Sequence, residues 1–149
     1  MRHRPRAFAA LGLTASAIVI TGSGAPGGDV SVTVTDLRSD KGLVQACLTT
    51  NPHRFPDCKG DAHAYALTVP ASDVVHIDFG QVPPGRYAIA LLHDENGNGR
   101  ADRALMLPKE GFGFSRDAAL RLGPPKFAAA AFDVGSGPVE QTIRMRYLF

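Results

Sequence analysis

Val30, Val32 and Val34 alternate with Ser31, Thr33 and Thr35, and that period of two recurs along the chain. It carries Val44, Ala46 and Leu48, then Tyr65, Leu67 and Val69, then Val75, Ile77 and Phe79. It returns in Tyr87, Ile89, Leu91 and His93, in Phe132 and Val134, and in Ile143, Met145 and Tyr147. Side chains along a strand point alternately to opposite faces, so each set is the apolar face of a half-buried strand. Turn formers punctuate the sets: residues 36–42, Pro70, Val82-Pro83-Pro84-Gly85, and residues 135–138. No long amphipathic helix competes. The pattern predicts an all-β fold, an antiparallel β-sandwich of about seven strands. Residues 103–127 break it and are expected to form one long irregular loop, with a helical turn in residues 116–122 stopped by Gly123-Pro124-Pro125.

Residues 1–25 read as an export signal: Arg2, Arg4 and Arg6, then an apolar run over residues 7–20, then small residues. The run is short for a membrane span, which takes about 20 residues, so no stable span is expected after processing. The predicted mature chain is a single β-sandwich domain over residues 26–149, periplasmic or secreted. The full chain has 16 Lys+Arg against 14 Asp+Glu; three arginines fall in the signal, leaving 13 against 14, a formal −1. Such a balance argues against a nucleic-acid partner. Two cysteines in an exported chain, Cys47 and Cys58, read as a disulfide closing a short turn-rich loop. A zinc site with His53 is the alternative, but its spacing matches no zinc motif.

Residues 94–102, D-E-N-G-N-G-R-A-D, carry the strongest chemical signal. Oxygen-bearing side chains stand at loop positions 1, 3, 5 and 9 (Asp94, Asn96, Asn98, Asp102), with Gly99 at position 6 and the Arg100 carbonyl at position 7. A hard cation needs several oxygens at similar distances, and only a tightly curled backbone gathers them. Position 12, which normally carries a bidentate Glu, is Leu105, leaving Glu110 and Asp117 as the nearest acids to complete the sphere. The expected cofactor is therefore Ca²⁺ held weakly, at about 10⁻⁴–10⁻³ M, as a staple rather than a sensor. The competing reading is a plain turn, since Asn96-Gly97 and Asn98-Gly99 both favour positive φ.

No catalytic elbow, zinc helix or phosphate-cradling loop occurs, and the chain is expected not to be an enzyme. The one weak catalytic candidate is His93, on an apolar face beside the acidic loop. Lys109-Glu110-Gly111-Phe112-Gly113-Phe114-Ser115 suggests two roles for Phe112 and Phe114: an exposed platform for a ligand, or a plug over a core edge. A binding role there implies a cell-envelope polysaccharide or protein as partner.

Four pieces carry a family resemblance. They are Val82-Pro83-Pro84-Gly85-Arg86-Tyr87, residues 93–99, residues 108–115, and Gly123-Pro124-Pro125 followed by Phe127. In this order they resemble the exported bacterial family called domain of unknown function 2141. The Pro-Pro-Gly-x-Tyr turn is also similar to that of transthyretin-like and carboxypeptidase-regulatory-like sandwiches, mostly non-catalytic modules. The resemblance implies a β-sandwich of the cell envelope or exterior, and no reaction. The cysteine pair and Arg116-Asp117 depart from the family pattern.

Overall fold

The computed structural model describes residues 26–99, 103–104 and 107–148. The expected signal over residues 1–25, together with Arg100, Asp102 and Leu105, lies outside them. Among these residues ten strands follow in order: β1 (Gly28–Thr35), β2 (Leu43–Thr49), β3 (Tyr65–Pro70), β4 (Val75–Val82), β5 (Gly85–Asp94), β6 (Arg103–Ala104), β7 (Leu107–Pro108), β8 (Gly111–Phe114), β9 (Phe132–Val134) and β10 (Val139–Arg144). One sheet has the order β10-β1-β4. The other runs β3-β2-β5-β8, with β9 also paired to β5, and β6 with β7 makes a small separate hairpin. This is the all-β sandwich that the alternation predicts.

The predicted inward sets meet between the sheets. Val30, Val32, Val34, Ile77 and Ile143 from one sheet pack with Val44, Leu48, Ile89 and Leu91 from the other, all essentially without solvent exposure. Burial of this kind contributes about 1.5–3 kcal/mol for each large aliphatic side chain, which makes the alternation the main determinant of the fold. Val82 faces inward although it breaks phase with Val75, Ile77 and Phe79. The register slips by one residue between Val30/Gly80 and Ser31/Asp78, and the extra residue, Phe79, restores Val82 to the core. At the β4–β5 turn the Tyr87 hydroxyl donates to the Pro83 carbonyl at 2.9 Å, resembling the tyrosine corner of other sandwiches.

Three features differ from the sequence-based expectation. β1 and β10 pair in parallel, Val30 opposite Val139, because the chain crosses from one sheet to the other between β9 and β10 rather than turning back in a hairpin. The segment expected as an irregular loop over residues 103–127 contains β8, paired to β5 through Ala90–Phe114 and Leu92–Phe112. The helical turn expected at 116–122 is a single 3-10 turn, Ser115–Asp117.

β8 is a strand whose inner face has no side chains. Gly111 lies against the Tyr147 ring, and a Cβ at Gly113 would stand 2.7 Å from Ile143 Cγ2. Phe112 and Phe114 occupy the outer face, where Phe114 joins Ala88, Ala90 and Ala130 in a second apolar cluster. The Cys47–Cys58 disulfide, with Cα atoms 5.6 Å apart, closes the loop that brings Phe55 onto this cluster. Phe55 sits 5.9 Å from both Phe114 and Phe127, ring centre to ring centre. β5 is thus covered on both faces, which explains why its sequence is almost continuously apolar.

Candidate functional site

Asp94 is the last residue of β5, and its side chain organises the turn that follows. It is fully buried. Its Oδ1 accepts from the Asn98 amide at 3.2 Å and its Oδ2 from the Gly99 amide at 2.7 Å. Asn96 Oδ1 also accepts from the Asn98 amide, at 3.0 Å, and the Gly97 amide reaches the Asp94 carbonyl at 3.3 Å. Gly97 and Gly99 take φ of 68° and 73°, a region that costs other residues strain. The outcome is a curl with Asp94, Asn96 and Asn98 on it, as the spacing predicts. Arg100 and Asp102, the remaining expected ligands, lie outside the described residues.

Two neighbours support this curl: Gln45, which sequence reasoning did not single out, and Glu110, one of the two acids expected to complete the sphere. Gln45 on β2 donates from Nε2 to Asp94 Oδ2 at 3.0 Å. Glu110 is buried and accepts from the Glu95 amide at 3.2 Å. The register explains its position: His93 stands opposite Gly111, so Glu110 falls beside Asp94. The other acid expected to complete the sphere, Asp117, does not approach the loop. It lies beyond the far end of β8, where its Oδ2 takes Arg144 Nε at 3.0 Å and Arg146 Nη2 at 2.8 Å. Burial alone would raise the Asp117 carboxyl, but the two guanidiniums outweigh it and hold it below the usual range.

A polar brace ties three segments beneath the loop. His93 Nε2 meets the Lys41 carbonyl at 2.8 Å and therefore donates. Its Nδ1 accepts from the Tyr147 hydroxyl at 2.6 Å; that hydroxyl in turn accepts from the Arg38 amide at 3.2 Å. The Arg38 guanidinium lies over the Tyr147 ring at 4.5 Å, donates to the Lys109 carbonyl at 3.0 Å, and forms an ion pair with Glu95. Ser39 donates to Glu95 Oε1 at 2.6 Å. The hydrogen-bonded Arg38, against the opposing effect of burial, brings the Glu95 carboxyl down to about 2. His93 has no solvent exposure and both ring nitrogens engaged, so the weak catalytic candidate is a structural brace without access to a substrate.

The two phenylalanines part company. Phe114 is 1% exposed and centres the second cluster, so the expectation of an exposed platform is corrected for this residue: it is a plug. Phe112 is half-buried and lines a groove of about 660 Å³ on the outer face of the second sheet. The disulfide loop and residues 120–124 also line it. Both cysteines are in the disulfide, which rules out the zinc alternative.

Among the described residues no group of three or more His, Cys, Asp or Glu side chains converges to hold a metal ion. A Ca²⁺ at this loop would meet the Asp94 carboxylate, the Asn96 and Asn98 carboxamides and, outside the described residues, the Arg100 carbonyl and Asp102. Among the same residues no helix is long and apolar enough to cross a membrane. The sequence model of a family described as an uncharacterized protein conserved in bacteria (DUF2141) matches residues 32–142. No curated protein matches. No solved structure matches either, so the likeness to transthyretin-like sandwiches stays with the Pro-Pro-Gly turn.

Proposed function

The chain belongs to this uncharacterized bacterial family, and we propose that it is a non-enzymatic, exported sandwich module whose loop at residues 94–102 takes Ca²⁺ as a structural staple. The observation that carries the reading is the Asp94 carboxylate. It is fully buried and draws the Asn98 and Gly99 amides round itself, curling the backbone so that Asp94, Asn96 and Asn98 share one tight turn. Asp94, Asn96, Asn98, the Arg100 carbonyl and Asp102 would hold the ion, all hard oxygens of the kind Ca²⁺ prefers. Glu110, delivered by β8, stands in for the acid missing at Leu105. The non-enzymatic part rests on the enclosure of His93 and on the lack of a catalytic motif. Export rests on the apolar leader, and the disulfide fits an oxidising compartment.

Thermal unfolding in EDTA and in about 5 mM Ca²⁺ tests the staple. With a dissociation constant of about 10⁻⁴–10⁻³ M, binding only to the folded state adds roughly 1–2 kcal/mol. For a domain of this size that is a rise in Tm of roughly 4–8 °C. An unchanged Tm sinks the reading.

A further inference from the structure

The groove holding Phe112 gathers most of the large hydrophobic side chains exposed among the described residues. Four large hydrophobic residues are exposed among the described residues: Leu67, Val74, Leu122 and Leu148. Three of them, Leu67, Leu122 and Leu148, line this one groove. Single exposed leucines are ordinary, but their convergence on a concavity marks a surface that is covered in use. The floor is apolar as well, with Leu92 on β5 and Phe112 on β8. A volume of about 660 Å³ falls within the roughly 300–1,000 Å³ typical of small-molecule sites.

The lining also selects the ligand class. A sugar needs several convergent donors and acceptors, and the groove has few polar groups to offer. Gln45 is one, but its amide is already given to Asp94 at 3.0 Å. The charges on the lining are Lys59, Arg121 and Asp57. Asp57 is occupied with Lys59, accepting its backbone amide at 2.9 Å and facing its ammonium at 3.9 Å. Arg121 has no ion pair among the described residues, so the groove is apolar along its floor and net positive at its walls. We propose that it binds a single-chain amphiphile: an acyl chain lying on Leu92 and Phe112 under Leu122, with an anionic head group meeting Arg121. The groove meets the ion loop at one end, where Gln45 and Gly99 line it, but the proposed contacts use none of the ion ligands.

Leu122, fully exposed, and Arg121 on the surface can both be changed without disturbing the core. The chain has no tryptophan, so a dansyl-labelled undecanoate can be titrated and read by its own fluorescence. Saturable binding displaced by dodecanoate is expected, with dodecanol at least about fivefold weaker. Leu122→Asp should weaken the probe about tenfold or more, the scale of one leucine's burial. Arg121→Glu should weaken dodecanoate about fivefold and leave dodecanol unchanged, as expected for a partly exposed charge contact. Absence of saturable binding overturns the proposal, as does equal affinity for acid and alcohol or indifference to both substitutions. Dimers seen by light scattering that Leu122→Asp dissolves, without probe binding, would assign the groove to a second copy of the chain and also overturn it.

Discussion

Asp94→Asn separates the two tasks that the staple reading gives to one carboxylate: shaping the turn and charging the ion site. The side chain accepts three hydrogen bonds, from the Asn98 amide at 3.2 Å, the Gly99 amide at 2.7 Å and Gln45 Nε2 at 3.0 Å. Asparagine keeps one acceptor oxygen, which can still serve Gly99 and Gln45 on the Oδ2 side. The other position becomes an amide donor facing the Asn98 N–H, but that N–H retains Asn96 Oδ1 at 3.0 Å. The loss is therefore one shared bond plus the charge assistance of two others. A bond to a charged group is worth about 1.5–3 kcal/mol and a neutral one about 0.5–1.5, so the variant should lose roughly 2 kcal/mol in EDTA. Without the carboxylate the added stability from Ca²⁺, roughly 1–2 kcal/mol in the parent, should fall close to zero. Thermal unfolding followed by circular dichroism, with EDTA, Ca²⁺ and Mg²⁺ arms, reads both effects in one experiment. A variant as stable as the parent in EDTA refutes the buried-acceptor reasoning. A variant that keeps the full Ca²⁺ response refutes the ion site.

Three further variants probe the frame around the site. Asp117→Asn removes a carboxyl that the Arg144 and Arg146 guanidiniums hold below its ordinary value. A depressed carboxyl stabilises fully above its unfolded value near pH 4 and loses that contribution as the pH falls further. Urea midpoints between pH 6 and 2 should therefore decline less steeply in the variant, and parallel curves contradict the assignment. Gly113→Ala would place a Cβ 2.7 Å from Ile143 Cγ2, and such overpacking costs about 1–3 kcal/mol; a neutral result in chemical denaturation would mean β8 is not pressed against β10. Replacing Cys47 and Cys58 together by alanine should cost roughly 2–3 kcal/mol, and full stability of that variant would argue that the loop holding Phe55 needs no covalent tie.

What could be read from the sequence was what local spacing encodes. The inward faces of β1, β2, β4 and β5 were legible because every second residue is apolar, and the curl at residues 94–99 because its side chains lie within six residues of one another. β8 escaped because its alternation is between phenylalanine and glycine. The inner face, Gly111 and Gly113, carries no side chains to register as apolar, although the strict period of two in Gly-Phe-Gly-Phe was there to be read. The parallel pairing of Val30 with Val139 left no local trace, since a register between distant segments is set by packing. The same limit hid Gln45, which reaches Asp94 only through the pairing of β2 with β5; Glu110 was legible as a nearby acid, and the pairing of β8 with β5 is what brings it to the Glu95 amide. Arg38 and Glu95 are likewise 57 positions apart.

Those non-local contacts also explain why the tests of loop and groove need different residues. Gln45 lines the groove while its amide holds Asp94, and Gly99 lines the same groove from within the curl. A change at Asp94 is therefore transmitted to one end of the groove through two residues. A weakened probe titration in Asp94→Asn would not by itself implicate an ion in ligand binding. Arg121 and Leu122 line the groove from another segment, just after the 3-10 turn whose Asp117 and Ala118 carbonyls accept from the Arg146 guanidinium at 3.3 and 3.4 Å. They can be changed without touching Asp94, Gln45 or Gly99. Binding lost in those variants with the Ca²⁺ response intact belongs to the groove alone, and the converse pattern belongs to the loop.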